Sequence, residues 1–202
     1  MVNKGSLSPS RLAIAEILGW PTGHEAWLAE VAEWVRDRIG GPAPELDRPG
    51  ALCPYVPAAI HRNTITITGH TELAPDRQQV ADVLLDEAGW FAERLAAARA
   101  AERTWIAHML VFTGLGQEAI VLSELRSELR PRLLRQGIIL GEFHQASADT
   151  SVRNRNYEVG QCPWPCFGMR AYIPQDQKFL RRTPDPGVSY LPRSTGRGVV
   201  SR

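Results

Sequence analysis

Thr64-Ile65-Thr66-Ile67-Thr68 is the stretch that decides the fold, because polar and apolar β-branched residues alternate in it without interruption. A period of two is typical of a strand that packs one face on a core and leaves the other face polar. Such a strand needs neighbouring strands and a covering layer. The segments on either side of it are patterned to supply both.

Downstream, helical and extended patterns alternate. Apolar residues at helical spacing predict a long helix over Pro75–Glu102, and a second strand is predicted over Thr104–Phe112. A helix to about Arg135 and a strand at Ile138–Leu140 follow. Cys162–Ile173 is apolar but interrupted by prolines, which is typical of an edge strand. We predict a small single-domain α/β or α+β sandwich with a mixed four-stranded sheet and helical crossovers.

The N-terminal part predicts a pair of helices packed on this core. One covers Arg11–Leu18, and the other runs from Thr22 or Gly23 to Ile39. Trp20, Trp27 and Trp34 recur every seven residues, which indicates a stripe that faces the core. We therefore divide the chain into an N-terminal helical segment (1–48), a core domain (49–181) and a disordered tail (182–202).

Composition narrows the class of protein. The chain has 202 residues, of which 44% are apolar and 22% charged, and its net charge is +1. A net charge this close to zero gives no positive electrostatic field that would attract nucleic acid. No apolar run is long enough to span a bilayer. The N-terminus lacks the pattern of a signal peptide, and three cysteines are too few for a secreted disulfide scaffold. We expect a cytoplasmic protein with reduced cysteines.

A glycine motif follows the second strand. Gly114-Leu115-Gly116 opens a helix and matches part of the dinucleotide fingerprint, which would imply an NAD(P)-dependent enzyme. However, Glu118 would place negative charge in the first helical turn, where a pyrophosphate needs positive charge. Two glycines are also expected in any tight turn between a strand and a helix. The dinucleotide enzyme is therefore kept only as a further alternative.

The third strand ends in Gly141-Glu142-Phe143-His144. Residues just beyond the carboxyl end of a strand in an open α/β sheet lie where ligands bind. His144 could act there as an acid–base group or a metal ligand, with Glu142 beside it, or it could be an ordinary loop histidine. The other histidines, including His70 and His108, fit structural or solvated positions, except His61, which could approach the same cleft.

Two cysteines lie close together in Cys162-Pro163-Trp164-Pro165-Cys166. In an extended chain both thiols point the same way, and with Cys53 and His144 they could complete a tetrahedral zinc site. Prolines 163 and 165 remove backbone donors that usually steady zinc-bound thiolates. Buried apolar thiols are therefore the favoured interpretation of this segment.

The segment from Gly50 to Ile60 contains Cys53-Pro54-Tyr55-Val56-Pro57. A thiol in this setting could be an inert buried side chain, a zinc ligand or the axial thiolate of a haem iron. Prolines stiffen the loop and reduce the number of N–H groups that an apolar pocket must satisfy. The residues alone favour the inert thiol.

From Cys53 to Leu180 the chain resembles an uncharacterised, mainly actinobacterial family. The matching segments are Cys53–Pro57, Gly137–His144, the pair Arg153-Asn154, and Ile173–Leu180. More remotely, the layout is similar to the YqcI/YcgG-type haem proteins, which include haem-dependent N-hydroxylases of arginine-like substrates. The resemblance implies that Cys53 is an axial thiolate.

We therefore expect a haem-thiolate oxygenase that acts on a polar, nitrogen-containing small molecule of secondary metabolism. Cys53 would bind the iron, and His144 and Glu142 would manage protons. Arg153, Asn154 and Arg170 would bind the haem propionates or a substrate carboxylate. An electron donor and a homodimer are possible partners, and the polar loop 145–158 would be a lid. The alternative class is a zinc-stabilised or metal-free binding module without catalysis.

Overall fold

The computed structural model describes residues 10–19, 25–71, 76–116, 120–151 and 153–180. Its centre is a five-stranded mixed sheet with the strand order β1-β2-β3-β5-β4. β2 and β3 are parallel, whereas β1 is antiparallel to β2, and β5 is antiparallel to both β3 and β4. The strands are β1 Leu12–Ala13, β2 Ile65–His70, β3 Ala107–Phe112, β4 Ile138–Phe143 and β5 Cys166–Ala171.

Helices connect and cover these strands. Asp76 caps the longest of them, because its carboxylate accepts hydrogen bonds from the backbone N–H groups of Gln78 and Gln79 at 2.8 and 3.2 Å. Short 3₁₀ turns lie at Pro44–Leu46, Arg103–Trp105, Thr113–Leu115 and Pro174–Asp176. The helices are α1 Ile14–Gly19, α2 Ala26–Trp34 with a π-helical turn at Val35–Ile39, α3 Val56–His61, α4 Arg77–Ala97, α5 Ile120–Arg135 and α6 Gln177–Leu180.

The predicted class, a mixed α/β sandwich, is confirmed, but the strand count and one position differ. β1 is a fifth strand within the predicted first helix, and two residues are too few to produce a periodic signal. The predicted edge strand is wrong, since β5 lies between β3 and β4. Pro163 and Pro165 precede the first paired residue, Cys166, so they remove no donor from the ladder. The Pro165 carbonyl even accepts a hydrogen bond from Phe112 N at 2.9 Å.

One face of the sheet is covered by α4 and α5. Both helices direct apolar side chains at the strands, and the aromatic core forms where Phe112 of β3 meets Phe167 of β5 edge-on at 6.0 Å. Besides Phe112 and Phe167, the largest fully buried side chains on this side are Phe91, Leu84, Leu122, Leu125, Leu133, Leu110 and Ile138.

The opposite face is covered by α1, α2 and α3. Trp27 and Trp34 of the tryptophan stripe pack against this second core, whereas Trp20 lies outside the described residues. Trp34 meets Phe143 at 5.2 Å, and a Cβ added to Gly69 would come within 2.0 Å of the Trp27 ring. The absence of a side chain at Gly69 thus lets the Trp27 indole lie directly on the sheet.

Residues before position 48 therefore supply a strand and two helices to the fold. The predicted tail, 182–202, lies outside the described residues. In the part of the chain that the structure describes, no helix is long and apolar enough to cross a membrane.

Candidate functional site

The two edges of the sheet carry different chemical groups. β3 and β4 are each antiparallel to β5, so they are parallel to each other and to β2. The amino ends of these three strands form one edge and their carboxyl ends the other. His144 directly follows β4 and lies at the carboxyl edge. Tyr55 contacts Trp105, just before β3, and so the Cys53 segment lies at the amino edge.

Cys53 is held at the amino edge by its own backbone. Its N–H donates to the Ile39 carbonyl at 2.8 Å, and its carbonyl accepts from Val56 N, at the start of α3, at 3.2 Å. The thiol is free and half-buried. The rings of Tyr55 and Trp105 lie 5.8 Å apart, and the guanidinium of Arg62 lies 4.8 Å from the Trp105 ring centre. The segment that carries the thiol therefore lies beside aromatic and cationic side chains.

Arg170 of β5 is the second cation of this neighbourhood. It forms a bidentate ion pair with Asp176, in which Nη1 lies 2.7 Å from Oδ2. Burial acts to lower the pKa of Arg170, but the Asp176 carboxylate outweighs it, and Cys53 and Tyr55 contribute in the same direction, so the pKa is raised. The Arg170 guanidinium lies 5.9 Å from the ring centre of Tyr55, which is two residues from Cys53.

Glu142 and His144 lie apart from this group. Glu142 is buried on the α5 face of the sheet, where it accepts a hydrogen bond from Ser123 Oγ at 2.7 Å and lies 3.6 Å from Arg126 Nε. His144 is 5% exposed, and neither ring nitrogen has a hydrogen-bond partner among the described residues. A buried imidazole without a partner is unusual and marks a position where a water or ligand would be stabilised.

Arg153 and Asn154 lie in the loop after β4. The side chain of Arg153 is exposed. Both polar groups of Asn154 hold the loop together: Nδ2 donates to the Glu45 carbonyl at 2.9 Å, and Oδ1 accepts from Asn156 N at 3.0 Å. Tyr157 is buried against Leu46, so the loop predicted to be a lid is tied to the 43–52 segment.

The two remaining cysteines lie in the apolar core beneath α1 and α2. Cys162 and Cys166 are 2% and 0% exposed, and their sulfur atoms are 3.7 Å apart. Burial raises the pKa of Cys166 well above that of a free thiol. No three His, Cys, Asp or Glu side chains come together as metal ligands within the described ranges, so the four-residue zinc set is not assembled.

The structure thus places Arg170 and the Cys53 segment at the amino edge, and His144 and Glu142 at the carboxyl edge. In the register of the sheet, Arg170 pairs with Ile139 near the start of β4, whereas Glu142 pairs with Phe167. Side chains three positions apart on a strand point to opposite faces, so Arg170 and Glu142 also lie on opposite faces of the sheet.

The glycine turn after β3 also differs from a dinucleotide site, because β5 separates β3 from β4. Gly116 has a φ of +66°, which explains the glycine there.

A buried polar network between β2, β3 and α4 was missed by the sequence analysis. Glu87 accepts two hydrogen bonds from Arg11, at 3.0 and 2.9 Å, and lies 3.2 Å from Nε2 of His108, though poorly aligned for a hydrogen bond. Nδ1 of His108 meets Thr66 Oγ1 at 2.9 Å, and Arg94 donates to the same hydroxyl at 2.8 Å. The Trp90 ring lies between the two guanidinium groups, at 4.2 and 5.5 Å.

One signal for this network was present in the sequence. Glu87 lies between the apolar residues Leu84 and Phe91, where the helical period of α4 calls for an apolar side chain. A charged residue at such a position needs a buried partner. Because the partners come from distant segments, their identity could not be read from this local pattern.

The network predicts that stability falls in mild acid. Burial lowers the pKa of His108 and of His70 below the ordinary 6.5, so the folded chain binds protons at these two rings less readily than the unfolded chain does. The pKa of Glu87 is also lowered: burial opposes this, but His108 and Arg11 outweigh it. The free energy of unfolding should therefore decrease as pH falls below about 6.5.

Urea denaturation at pH 7.5 and at pH 5.5 measures this decrease, because these values lie about one unit above and about one unit below the ordinary histidine pKa. His108→Gln should reduce the pH dependence, and His61→Gln, at an exposed position, should not. An NMR titration of the native protein that shows the His108 ring protonated at pH 6.5 or above would contradict the prediction.

The molecule is a mixed α/β protein with helices on both faces of a five-stranded sheet. Residues 28–197 match the model of the family described as Domain of unknown function (DUF6875), and the chain belongs to that family. The resemblance to an uncharacterised family is thereby confirmed, while the remote similarity to haem-dependent N-hydroxylases stays a prediction. Comparison with curated proteins and with solved structures gives no match.

Proposed function

We propose that the protein is a haem-thiolate oxygenase in which Cys53 binds the iron. One observation carries the proposal: of the three cysteines, Cys53 alone lies outside the apolar core, half-buried and two residues from Tyr55, whose ring centre is 5.9 Å from the Arg170 guanidinium. The thiolate is the form of a cysteine that binds a metal. The substrate class is a polar, nitrogen-containing small molecule, as the remote resemblance implies.

The residues around Cys53 suit a haem. Tyr55 and Trp105 offer aromatic surface for a porphyrin, and Arg62 offers an exposed guanidinium for a carboxylate. Arg170 is already paired with Asp176, so the proposal does not assign it to a propionate. When bound, a haem with a thiolate ligand would supply oxygen chemistry, driven either by O2 with electrons from a donor protein or by peroxide as the oxidant.

The proposal assigns His144 and Glu142 no role at Cys53, because they lie at the carboxyl edge of the sheet. Their predicted acid–base role would need a substrate bound at that edge. Arg153 and Asn154 are likewise left out, since the first is exposed and the second holds its own loop.

The visible spectrum of the full chain, produced in iron-replete cells and supplemented with haemin, tests the proposal. We expect a Soret band, and a red-shifted Soret band for the ferrous carbonyl complex, as is typical of a thiolate ligand. Cys53→Ala should abolish the carbonyl signature. Cys162→Ala and Cys166→Ala are the matched controls and should retain it.

Three outcomes would contradict the proposal. A folded wild-type protein that stays colourless with haemin would favour the non-catalytic binding module. Stoichiometric zinc that is lost in the Cys162 and Cys166 variants would favour the zinc-stabilised form of that module. A Soret band unchanged in Cys53→Ala would show that another residue binds the haem.

A further inference from the structure

We propose that Cys162 and Cys166 form a reversible dithiol–disulfide pair. The pair is separate from the site at Cys53: Cys162 and Cys166 lie beneath α1 and α2 towards the carboxyl edge, and Cys53 lies at the amino edge. The pairing goes beyond the proposed oxygenase function and does not depend on it.

The distance between the two sulfur atoms carries the proposal. They are 3.7 Å apart, in direct contact within the apolar core. A disulfide bond needs a separation of about 2.0 Å, so the sulfur atoms must approach by roughly 1.7 Å. Cys166 is fixed by its ladder partners Val111 and Phe143, and so Cys162, in the loop before β5, is the residue that moves.

The loop that carries Cys162 can open without breaking the sheet. Pro163 and Pro165 have no N–H to donate, and residues 161–164 are attached through side chains, while the Pro165 carbonyl stays bonded to Phe112 N next to the sheet. Trp34 Nε1 donates to the Gln161 carbonyl at 2.7 Å, and Trp164 Nε1 donates to Glu30 at 2.7 Å. Exposed hydrogen bonds of this kind open locally at low free-energy cost. Opening of the loop would let a small oxidant reach Cys162.

The reaction is a thiol–disulfide exchange with a small disulfide such as oxidised glutathione. The Cys162 thiolate attacks one sulfur of the small disulfide, a mixed disulfide forms, and one small thiolate leaves and takes a proton. Cys166, once it loses its proton, attacks the Cys162 sulfur and displaces the second small thiolate, which is also protonated. Two protein thiols are oxidised, and one small disulfide is reduced to two thiols.

The order of attack follows from burial. Cys166 is fully buried in a strand, and its pKa is raised, which makes it a poor first nucleophile but a suitable resolving thiol once a mixed disulfide is in contact with it. Trp164 lies between the two cysteines in sequence and packs against the same core. Its fluorescence should therefore change when the bond forms.

The experiment uses the full-length Cys53→Ala variant, in which Cys162 and Cys166 are the only cysteines. The folded protein is equilibrated in glutathione buffers of graded potential, denatured in acid, alkylated and weighed by mass spectrometry. We expect both alkylation sites to be lost together, with a mass lower by two hydrogen atoms and no glutathione adduct. Tryptophan fluorescence should follow the same midpoint, and reductant should reverse both changes.

Peptide mapping of the oxidised wild-type protein provides a second measurement that does not depend on the variant. It should find one cross-linked peptide joining residues 162 and 166. The proposal is overturned if both thiols remain fully alkylatable in the most oxidising buffer, or if only glutathione adducts or linked dimers form. Either result would mean that the pair is a packed thiol contact and no more.

Discussion

Replacing Glu87 with alanine should lower the free energy of unfolding by about 3 kcal/mol, because it removes the buried anion of this network. The Glu87 side chain is 5% exposed, accepts both hydrogen bonds from Arg11 and lies 3.2 Å from Nε2 of His108. Without it, the half-buried Arg11 guanidinium loses its acceptor, and the fully buried His108 ring loses the negative charge beside it. Arg11 is 24% exposed, which keeps the expected loss at the lower end for a broken buried pair.

Urea denaturation followed by circular dichroism measures the change. Glu93→Ala is a matched control, because Glu93 lies on the same helix, α4, but is exposed, and its effect should stay within about 0.5 kcal/mol. Alanine is at least as good a helix former as glutamate, so helix propensity cannot explain a loss. Equal stability of the two variants would mean that the network does not hold α4 to the sheet.

Asp176→Ala should be comparably destabilising, by about 3 kcal/mol, and should also disturb the Cys53 site. Asp176 is 1% exposed, pairs with Arg170 through both oxygens, and accepts a hydrogen bond from Ile173 N at 2.9 Å. Its removal leaves a buried backbone donor unpaired and takes its partner from the Arg170 guanidinium, which lies 5.9 Å from the Tyr55 ring centre. The variant therefore links stability at the end of β5 to the position of the segment that carries Cys53.

A double-mutant cycle separates the ion pair from general damage. Arg170→Ala alone should destabilise the fold as well, because it leaves the Asp176 carboxylate buried without its cation. The double variant should be more stable than the sum of the two single losses predicts. Gln175→Ala, at the exposed neighbouring position, serves as the control. Strictly additive losses would contradict a direct pairing of the two side chains.

The main elements of the fold could be predicted where one local pattern dominates. The alternation around Ile65 became β2, and the helical period from Pro75 became α4, which begins at Arg77. β1 and the place of β5 could not be found in this way, because two residues carry no period and because strand order depends on contacts between distant segments. The two prolines before Cys166 suggested an edge strand, because the sequence does not show that strand pairing begins only after them.

The candidate site was harder to predict than the fold. Cys53 and Arg170 are 117 positions apart in sequence, yet both lie at the amino edge, whereas Cys53 and His144 were expected together and lie at opposite edges. Proximity of this kind is decided by strand register, which single motifs do not encode. Asn154 is a second example. Its amide side chain suits ligand binding, but it is hydrogen-bonded to the backbone of Glu45 and Asn156 instead.

The position of β5 has a consequence for how the protein is made. Among the described strands, β5 comes last in the sequence, yet it completes the sheet between β3 and β4, both of which are synthesised earlier. Until residue 171 leaves the ribosome, each of those strands has one edge without its native partner, and such edges pair readily with other chains. This sheet therefore cannot be completed until all five of its strands have been made, and a ribosome that stalls before β5 releases a product with unpaired strand edges that can aggregate.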